Sequence, residues 1–160
     1  MDVFLYAPEQ FENVCVLART LEVFGFRHCY VYDPHRLVRE RYGKSYGQRL
    51  RTVSAGAFQK IEWRRIDAEV PEFLRAHAGR SVATVPSQSA TSLHQFRFCQ
   101  SDLLLIGAEG GGLPAPVLAA CQAHVTIPQQ GVTESLNVAV ASGIVLAEWK
   151  RQEALGLLDH

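Results

Sequence analysis

The sequence has no apolar run long enough to cross a membrane as a helix. The longest run, around Val138 to Leu146, falls short of about 18 residues. The basic, apolar and small-residue succession of a secretory leader is also missing, so we expect a cytoplasmic location. Hydrophobic residues at 48% and charged residues at 20% of 160 residues are typical of one soluble domain with its own core.

Cysteine is sparse and scattered, which excludes the usual disulfide and zinc frameworks. The four residues Cys15, Cys29, Cys99 and Cys121 form no C-x-x-C pair and have no histidine at zinc-finger spacing. We therefore expect buried free thiols and no metal.

Net charge is also absent, because 16 basic residues balance 16 acidic ones. Proteins that bind nucleic acid usually carry an excess of basic residues, so the zero net charge argues against a nucleic-acid partner. The distribution of the charges along the chain does not. Segment 36–51 carries six basic residues and one acid, Glu40; the basic residues are Arg36, Arg39, Arg41, Lys44, Arg49 and Arg51. Its glycines favour a mobile loop over residues 36–56, which is either a solvated charged loop or an anion-binding one.

Apolar runs alternate with helix-forming segments along the whole chain. Strands are predicted at residues 3–6, 29–32, 81–85, 102–106 and 124–127, and helices at 14–24, 70–78, 113–122 and 135–155. Continuously apolar strands are typical of a parallel sheet covered on both faces. The predicted fold class is therefore α/β: a single-domain open parallel sheet with helices on both faces, spanning residues 1–160.

Ligands in such sheets bind beyond the carboxyl ends of the strands, which directs attention to three loops. The loop from Gly107 to Pro114 is rich in glycine, yet it lacks both the Gly-Lys-Ser/Thr of a P-loop and the G-x-G-x-x-G dinucleotide spacing. Its glycines admit either a closely approaching ligand or a tight strand-to-helix connection.

Several polar residues near these loops have two readings each. Asn13 and Ser135 are plausible helix N-caps, and Asn137 is a plausible partner of a nearby backbone group. Alternatively, all three residues belong to a functional site. Arg19 lies in an otherwise apolar helix, where an arginine needs an anionic partner or an exit to solvent.

The order of these pieces resembles a known family. Three groups occur in sequence: Asn13 with Arg19 and Phe24-Gly25; Leu105-Ile106-Gly107-Ala108-Glu109 with Gly112-Leu113-Pro114; and Ile127-Pro128 with Ser135-Leu136-Asn137. They resemble the three motifs of SpoU-type (TrmH-like) RNA ribose 2′-O-methyltransferases of the SPOUT superfamily. The likeness runs from Leu5 to Arg151 and is greatest to the minimal TrmL-type branch, which modifies the tRNA wobble nucleotide.

The resemblance implies properties that composition does not. It implies a C-terminal deep trefoil knot, a homodimer, an RNA substrate, most simply tRNA, and S-adenosylmethionine as cofactor, with no membrane or metal involved. The implied cofactor contacts are Thr84, Val85, Gly107, Glu109, Ile127, Ser135 and Leu136, and the basic residues of segment 36–51 would bind RNA.

The resemblance also implies a division of catalytic roles. We expect the guanidinium of Arg19 to orient and polarise the ribose hydroxyl and its phosphate, because an arginine that stays protonated is a poor base. Asn13, Glu109, Ser135 and Asn137 would hold the site. The chain departs from the minimal branch at Val16, where a second asparagine is usual, and at Ala147, where a tyrosine is usual.

Two other functions fit parts of the sequence. One is a non-catalytic RNA-binding or cofactor-binding module of the same fold, against which the retained Arg19, Glu109 and Asn137 count. The other is an unrelated nucleotide-binding α/β enzyme, which leaves the segment from Ser135 to Asn137 unexplained. An rRNA substrate also remains open.

Overall fold

The protein is described by a computed structural model that covers residues 1–38 and 44–159, without the side chains of residues 44–46. In chain order, the described residues form β1 (Asp2–Tyr6), α1 (Phe11–Val23), β2 (His28–Tyr32), α2 (Lys44–Ser54), a 3-10 helix (Ala57–Lys60), β3 (Glu62–Arg65), α3 (Val70–Ala76), β4 (Ser81–Thr84), β5 (Thr91–Ser92), β6 (Leu103–Ile106), α4 (Ala115–Ala120), β7 (Ala123–Thr126) and α5 (Val138–Ala154). None of these helices is long and apolar enough to span a membrane.

The strands form one parallel sheet in the order β3-β2-β1-β6-β4-β7-β5. The central strand β6 pairs with β1 and β4, and all four of its residues are buried. Apolar side chains of β1 and β6 alternate between two cores, because successive residues of a strand point to opposite faces. Val3 and Leu5 pack with α1 and α5, whereas Phe4 packs with α3 and α4. The predicted covered parallel sheet is confirmed.

The basic segment is where the sequence prediction of local structure is wrong. Much of the expected loop over residues 36–56 is the helix α2, whose Leu50 is fully buried in the core that α1 shares. Its burial supplies the tertiary stabilisation that a short helix needs. The sequence prediction also missed the 3-10 helix and the strands β3 and β5. Residues 39–43 lie outside the described part.

Helix starts also differ from the predictions. Helix α1 begins at Phe11 after Gln10, so Asn13 lies inside the first turn and is not its N-cap. Helix α5 begins after Asn137, whose side-chain oxygen accepts hydrogen bonds from the amides of Ala139 and Val140, so Ser135 is not its cap. At the other end of α1, Gly25 has a φ of +82°, as expected for a C-cap glycine.

The four cysteines are free, and two of them, Cys15 and Cys29, are buried. Burial raises the pKa of the Cys15 and Cys121 thiols to about 11, and it raises the pKa of Cys29 as well. These thiols are therefore protonated at neutral pH and are not poised nucleophiles. Among the described residues, no group of three or more His, Cys, Asp or Glu side chains is arranged to hold a metal ion.

A buried glutamine fastens α5 to the segment that precedes β6. The Gln152 side chain accepts a hydrogen bond from the Phe98 amide at 3.1 Å and donates one to the Phe96 carbonyl at 2.8 Å. Gln152 is almost fully buried, so water has no access to replace these bonds. The C-terminal helix is thus held by polar contacts as well as by the apolar packing of Trp149.

We predict that Gln152→Leu destabilises the fold by about 1–3 kcal/mol, because it leaves a buried amide and a buried carbonyl without partners. Urea unfolding followed by circular dichroism measures the change. Gln95→Leu, at an exposed position, is the matched control and should leave the midpoint unchanged within error. Equal midpoints for the two variants would refute the role assigned to Gln152.

Candidate functional site

A cavity of about 660 Å³ lies at the carboxyl edge of the sheet, beyond strands β4, β6 and β7. The loops after these strands and the start of α5 form its walls, as expected for a ligand site in an open α/β sheet. All seven predicted cofactor contacts line it, namely Thr84, Val85, Gly107, Glu109, Ile127, Ser135 and Leu136. Three separate loops therefore converge on one space.

Glu109 clamps two of the loops together. Its carboxylate accepts hydrogen bonds from the amides of Glu9 at 2.9 Å and Gln10 at 3.1 Å, and from the Asn13 side-chain amide at 3.0 Å. In return, the Glu9 carboxylate accepts a hydrogen bond from the Gly110 amide at 3.2 Å. The turn after β1 is thus fastened to the turn after β6, and Glu109 positions this wall of the cavity.

Asn13 links Glu109 to the start of helix α5 by hydrogen bonds. While its amide nitrogen donates to Glu109, its oxygen accepts a hydrogen bond from Asn137 Nδ2 at 3.0 Å. The Asn137 oxygen in turn caps α5 by accepting from Ala139 N at 2.9 Å. Glu109, Asn13 and Asn137 form a single chain of hydrogen bonds that links the three sequence motifs.

The glycine-rich loop is a tight reversal of the main chain. Ala108 and Gly112 exchange two backbone hydrogen bonds of 3.0 and 3.1 Å, and Gly112 has a φ of +63°. A Cβ on Gly107 would lie 2.6–2.9 Å from the backbone of Gly112 and Leu113, so only glycine fits there. These glycines therefore form the tight strand-to-helix connection that is one of the two alternatives expected from the sequence.

The cavity wall contains a polar atom without a partner. Thr84 Oγ1 is buried and makes no hydrogen bond within the described structure. Buried hydroxyls are normally hydrogen-bonded, so this one is suited to a polar group of a ligand. The exposed Ser135 lines the same cavity. The residues present therefore fit a ligand that combines apolar and hydrogen-bonding groups.

Arg19 does not reach the cavity of its own chain. It lies six residues after Asn13, which on a helix is about 9 Å along the axis and roughly 120° around it. The residue is exposed and forms no ion pair with any described residue. Of the two expected environments, the structure gives the exit to solvent. The predicted catalytic role of Arg19 stays a prediction.

The face that carries Arg19 is largely apolar. It combines exposed residues of α1 and α5, which pack together where Thr20 lies 3.9 Å from the position of a Cβ on Gly143. The exposed fractions are 43% for Val16, 69% for Val23, 52% for Val140 and 39% for Ile144. We call these four residues, together with Ala147, the α1/α5 face.

The predicted RNA-binding residues are only partly described. Arg36, in the loop after β2, and Arg49 and Arg51, on α2, are exposed. Arg49 pairs with Glu12 of α1, which anchors α2 beside the start of that helix. Arg39 and Arg41 lie outside the described residues, as does the side chain of Lys44. Their predicted role stays a prediction.

The cavity also contains residues that the sequence analysis did not single out. They include Gln10, Ser87, Gln129, Glu134 and Ser142. Glu134 directly precedes the motif residue Ser135, so its place in the sequence could have indicated that it lies at the cavity. The contact between Gln10 and the Glu109 carboxylate joins residues 99 positions apart, which no local pattern reveals.

The fold and cavity define an α/β protein with a ligand site at the carboxyl edge of a parallel sheet. Comparison with known proteins identifies its family: residues 1–147 match the SpoU rRNA Methylase family, and the chain belongs to it. The family predicted from the three motifs is confirmed.

Individual relatives agree with this assignment. A tRNA (cytidine(34)-2′-O)-methyltransferase from Ancylobacter novellus is 30% identical over 156 residues, 92% of this chain and 90% of the relative. An uncharacterized tRNA/rRNA methyltransferase from Synechocystis is 34% identical over 135 residues, 67% of this chain but only 48% of the relative. The chain thus spans about half the length of that relative.

A solved structure shares the fold. The SpoU methyltransferase AviRb from Streptomyces viridochromogenes, in complex with the cofactor AdoMet, superposes with a TM-score of 0.78 at 25% sequence identity. The match covers 98% of this chain and 61% of that one.

We predict that Glu109→Gln destabilises the protein by about 1–3 kcal/mol, because the new amide places a donor where the structure needs an acceptor. The unfolding midpoint in urea measures the loss. Glu72→Gln, at an exposed position on α3, is the matched control and should change the midpoint little. A wild-type midpoint for Glu109→Gln would refute the clamp.

Proposed function

We propose that this protein is an S-adenosylmethionine-dependent RNA methyltransferase that transfers a methyl group to a ribose 2′-hydroxyl of tRNA. One observation carries the proposal: the three family motifs meet in a single cavity, joined by the hydrogen bonds of Glu109, Asn13 and Asn137. The family match and the tRNA-modifying relative from Ancylobacter support the same reaction.

The cofactor would be held by the loops around the cavity. The unpartnered Thr84 hydroxyl and the walls formed by Gly107, Ile127 and Leu136 provide hydrogen-bonding and apolar surfaces for it. The AdoMet complex of AviRb, a structure of the same fold, supports this choice. When bound, the cofactor supplies an electrophilic methyl group on a sulfonium.

The residues of this chain contribute mainly by positioning. Methyl transfer to a ribose oxygen needs the two reacting atoms aligned within about 3–3.5 Å, and such alignment accounts for much of the rate of an oriented reaction. The hydrogen-bond chain through Glu109, Asn13 and Asn137 fixes the loops that would provide this alignment. A guanidinium is a donor fork, so Arg19 would grip the phosphate next to the reacting ribose and polarise the hydroxyl.

Arg19 serves this role most directly in a homodimer. The α1/α5 face surrounds it with exposed apolar residues, and α5 and the preceding loop also line the cavity. A second copy packed on this face would bury those residues and bring one subunit's Arg19 towards the cavity of the other. We therefore assign Arg19 to the active site of the partner subunit.

The remaining features follow the minimal branch of the family. We place the substrate position at the wobble nucleotide of tRNA, because the Ancylobacter relative covers nearly the same length and is named for position 34. The C-terminal trefoil knot and the cytoplasmic location belong to the same proposal. The exposed arginines of α2 and of the loop after β2 would contact the tRNA backbone.

Methyl transfer to RNA tests the function directly. Purified protein is incubated with methyl-labelled S-adenosylmethionine and bulk tRNA, and 2′-O-methyl positions are mapped by resistance to alkaline cleavage. Labelled tRNA with a new alkali-resistant linkage is expected. Binding of the cofactor without transfer to tRNA or rRNA would instead support a non-catalytic module. Transfer to rRNA alone would show that the substrate is rRNA and not tRNA.

A mixed dimer tests the position of Arg19. We expect Arg19→Ala dimers and Ser135→Trp dimers to be inactive, the latter because a bulky side chain fills the cavity. Mixed dimers purified with two tags should regain about half of the wild-type activity, since one of two equivalent sites is intact. Inactive mixed dimers would contradict action across subunits, and monomeric wild-type protein by light scattering would contradict the dimer.

Salt dependence tests the RNA surface. Removing one phosphate contact lowers the slope of log affinity against log salt by about one, so Arg51→Gln should weaken tRNA binding and flatten that slope. Arg75→Gln, an exposed arginine on α3, is the control and should behave as wild type. Filter binding at several salt concentrations gives the slopes; unchanged slopes for Arg51→Gln would exclude it from the contact surface.

A further inference from the structure

Within the described part of the chain, the cavity is lined by carboxylates and by no basic side chain. Its described lining residues include two carboxylates, Glu109 and Glu134, and no lysine, arginine or histidine. A site for a phosphate-bearing ligand normally offers cationic groups or a cradle of amides, and the glycine-rich loop here is closed on itself. The charge of this cavity therefore suits a cation.

Only one of the two carboxylates is available to a ligand. Glu109 is committed to three hydrogen bonds within the protein. Glu134 is exposed and makes no hydrogen bond or ion pair with any described residue. It lines the cavity three residues before Asn137, which is fixed by its bonds to Asn13 and α5. The cavity wall therefore carries one carboxylate that no described residue neutralises.

The proposed reaction changes the charge of what occupies the cavity. The bond between sulfur and methyl carbon breaks, its electron pair stays on sulfur, the carbon bonds to the ribose oxygen, and the hydroxyl proton leaves to solvent or phosphate. The bound donor has one more positive charge than S-adenosylhomocysteine, the neutral thioether that remains.

We propose that Glu134 is the residue that distinguishes the methyl donor from its demethylated product by charge. This inference rests on the proposed function. The Glu134 carboxylate attracts the cationic donor, and that attraction disappears once the methyl group has been transferred, so Glu134 strengthens binding of the donor without strengthening binding of the product. Because Glu134 is exposed, solvent screens the effect and keeps it modest.

Isothermal titration calorimetry tests this with three ligands: S-adenosylmethionine, S-adenosylhomocysteine, and sinefungin, which carries an ammonium group in place of the sulfonium. In Glu134→Gln we expect the affinities for the two cationic ligands to fall about two- to fivefold and that for S-adenosylhomocysteine to stay unchanged within error. In the wild type, added salt should weaken binding of the two cationic ligands more than binding of S-adenosylhomocysteine. Glu72→Gln, outside the cavity, is the control.

The outcomes separate this inference from the proposed function. If Glu134→Gln weakens all three ligands equally or none of them, while the wild type binds them, the charge role is overturned and the methyltransferase proposal stands. If the folded wild-type protein binds none of the ligands, both are overturned. Circular dichroism of Glu134→Gln confirms that any loss of binding is not loss of fold.

Discussion

The Glu109 carboxylate is the interaction on which the functional end of this protein depends. A carboxylate accepts hydrogen bonds without donating any, so it can gather amides from segments that have no other reason to meet. Here it joins the turn after β1 to the turn after β6, across the point where the strand order of the sheet reverses. Asn13 and Asn137 extend the same network to the first turn of α5.

This arrangement separates the tasks of the molecule by charge. The cavity has acidic and neutral walls, whereas the exposed arginines of α2 and of the loop after β2 lie outside it. A chain with no net charge can in this way offer one region to a cationic small molecule and another to a phosphate backbone. For the proposed function, the local distribution of charge is therefore more informative than the zero total.

The sequence predicted what depends on local pattern and missed what depends on distant contacts. Continuously apolar strands such as β6 are recognisable because both of their faces are buried. Edge strand β3, which reads Glu-Trp-Arg-Arg, lacks that signal because only one neighbour covers it. Helix α2 was hidden by Gly47 and by its charges, and the burial of Leu50 against distant residues explains it. Asn13 resembled a helix cap because its true partners are 96 and 124 residues away.

The environment of Arg19 in a single chain does not by itself explain why an arginine lies at this position. Its helix was recognised correctly as apolar, and an arginine within it required either a partner or solvent; the structure gives solvent, on a face whose neighbours are valine and isoleucine. A face of exposed apolar side chains favours a partner that covers it. Covering this face would, however, also bury the charge of Arg19, which is costly for a charge without a partner. The arrangement becomes favourable if covering that face also supplies the arginine with an anion. In the proposed dimer, a second copy bound to RNA would do both, because it would bury the α1/α5 face and bring a phosphate to the arginine at the edge of that face. In the proposed enzyme the substrate, the dimer and Arg19 depend on one another, and the active site would be complete only when all three are present.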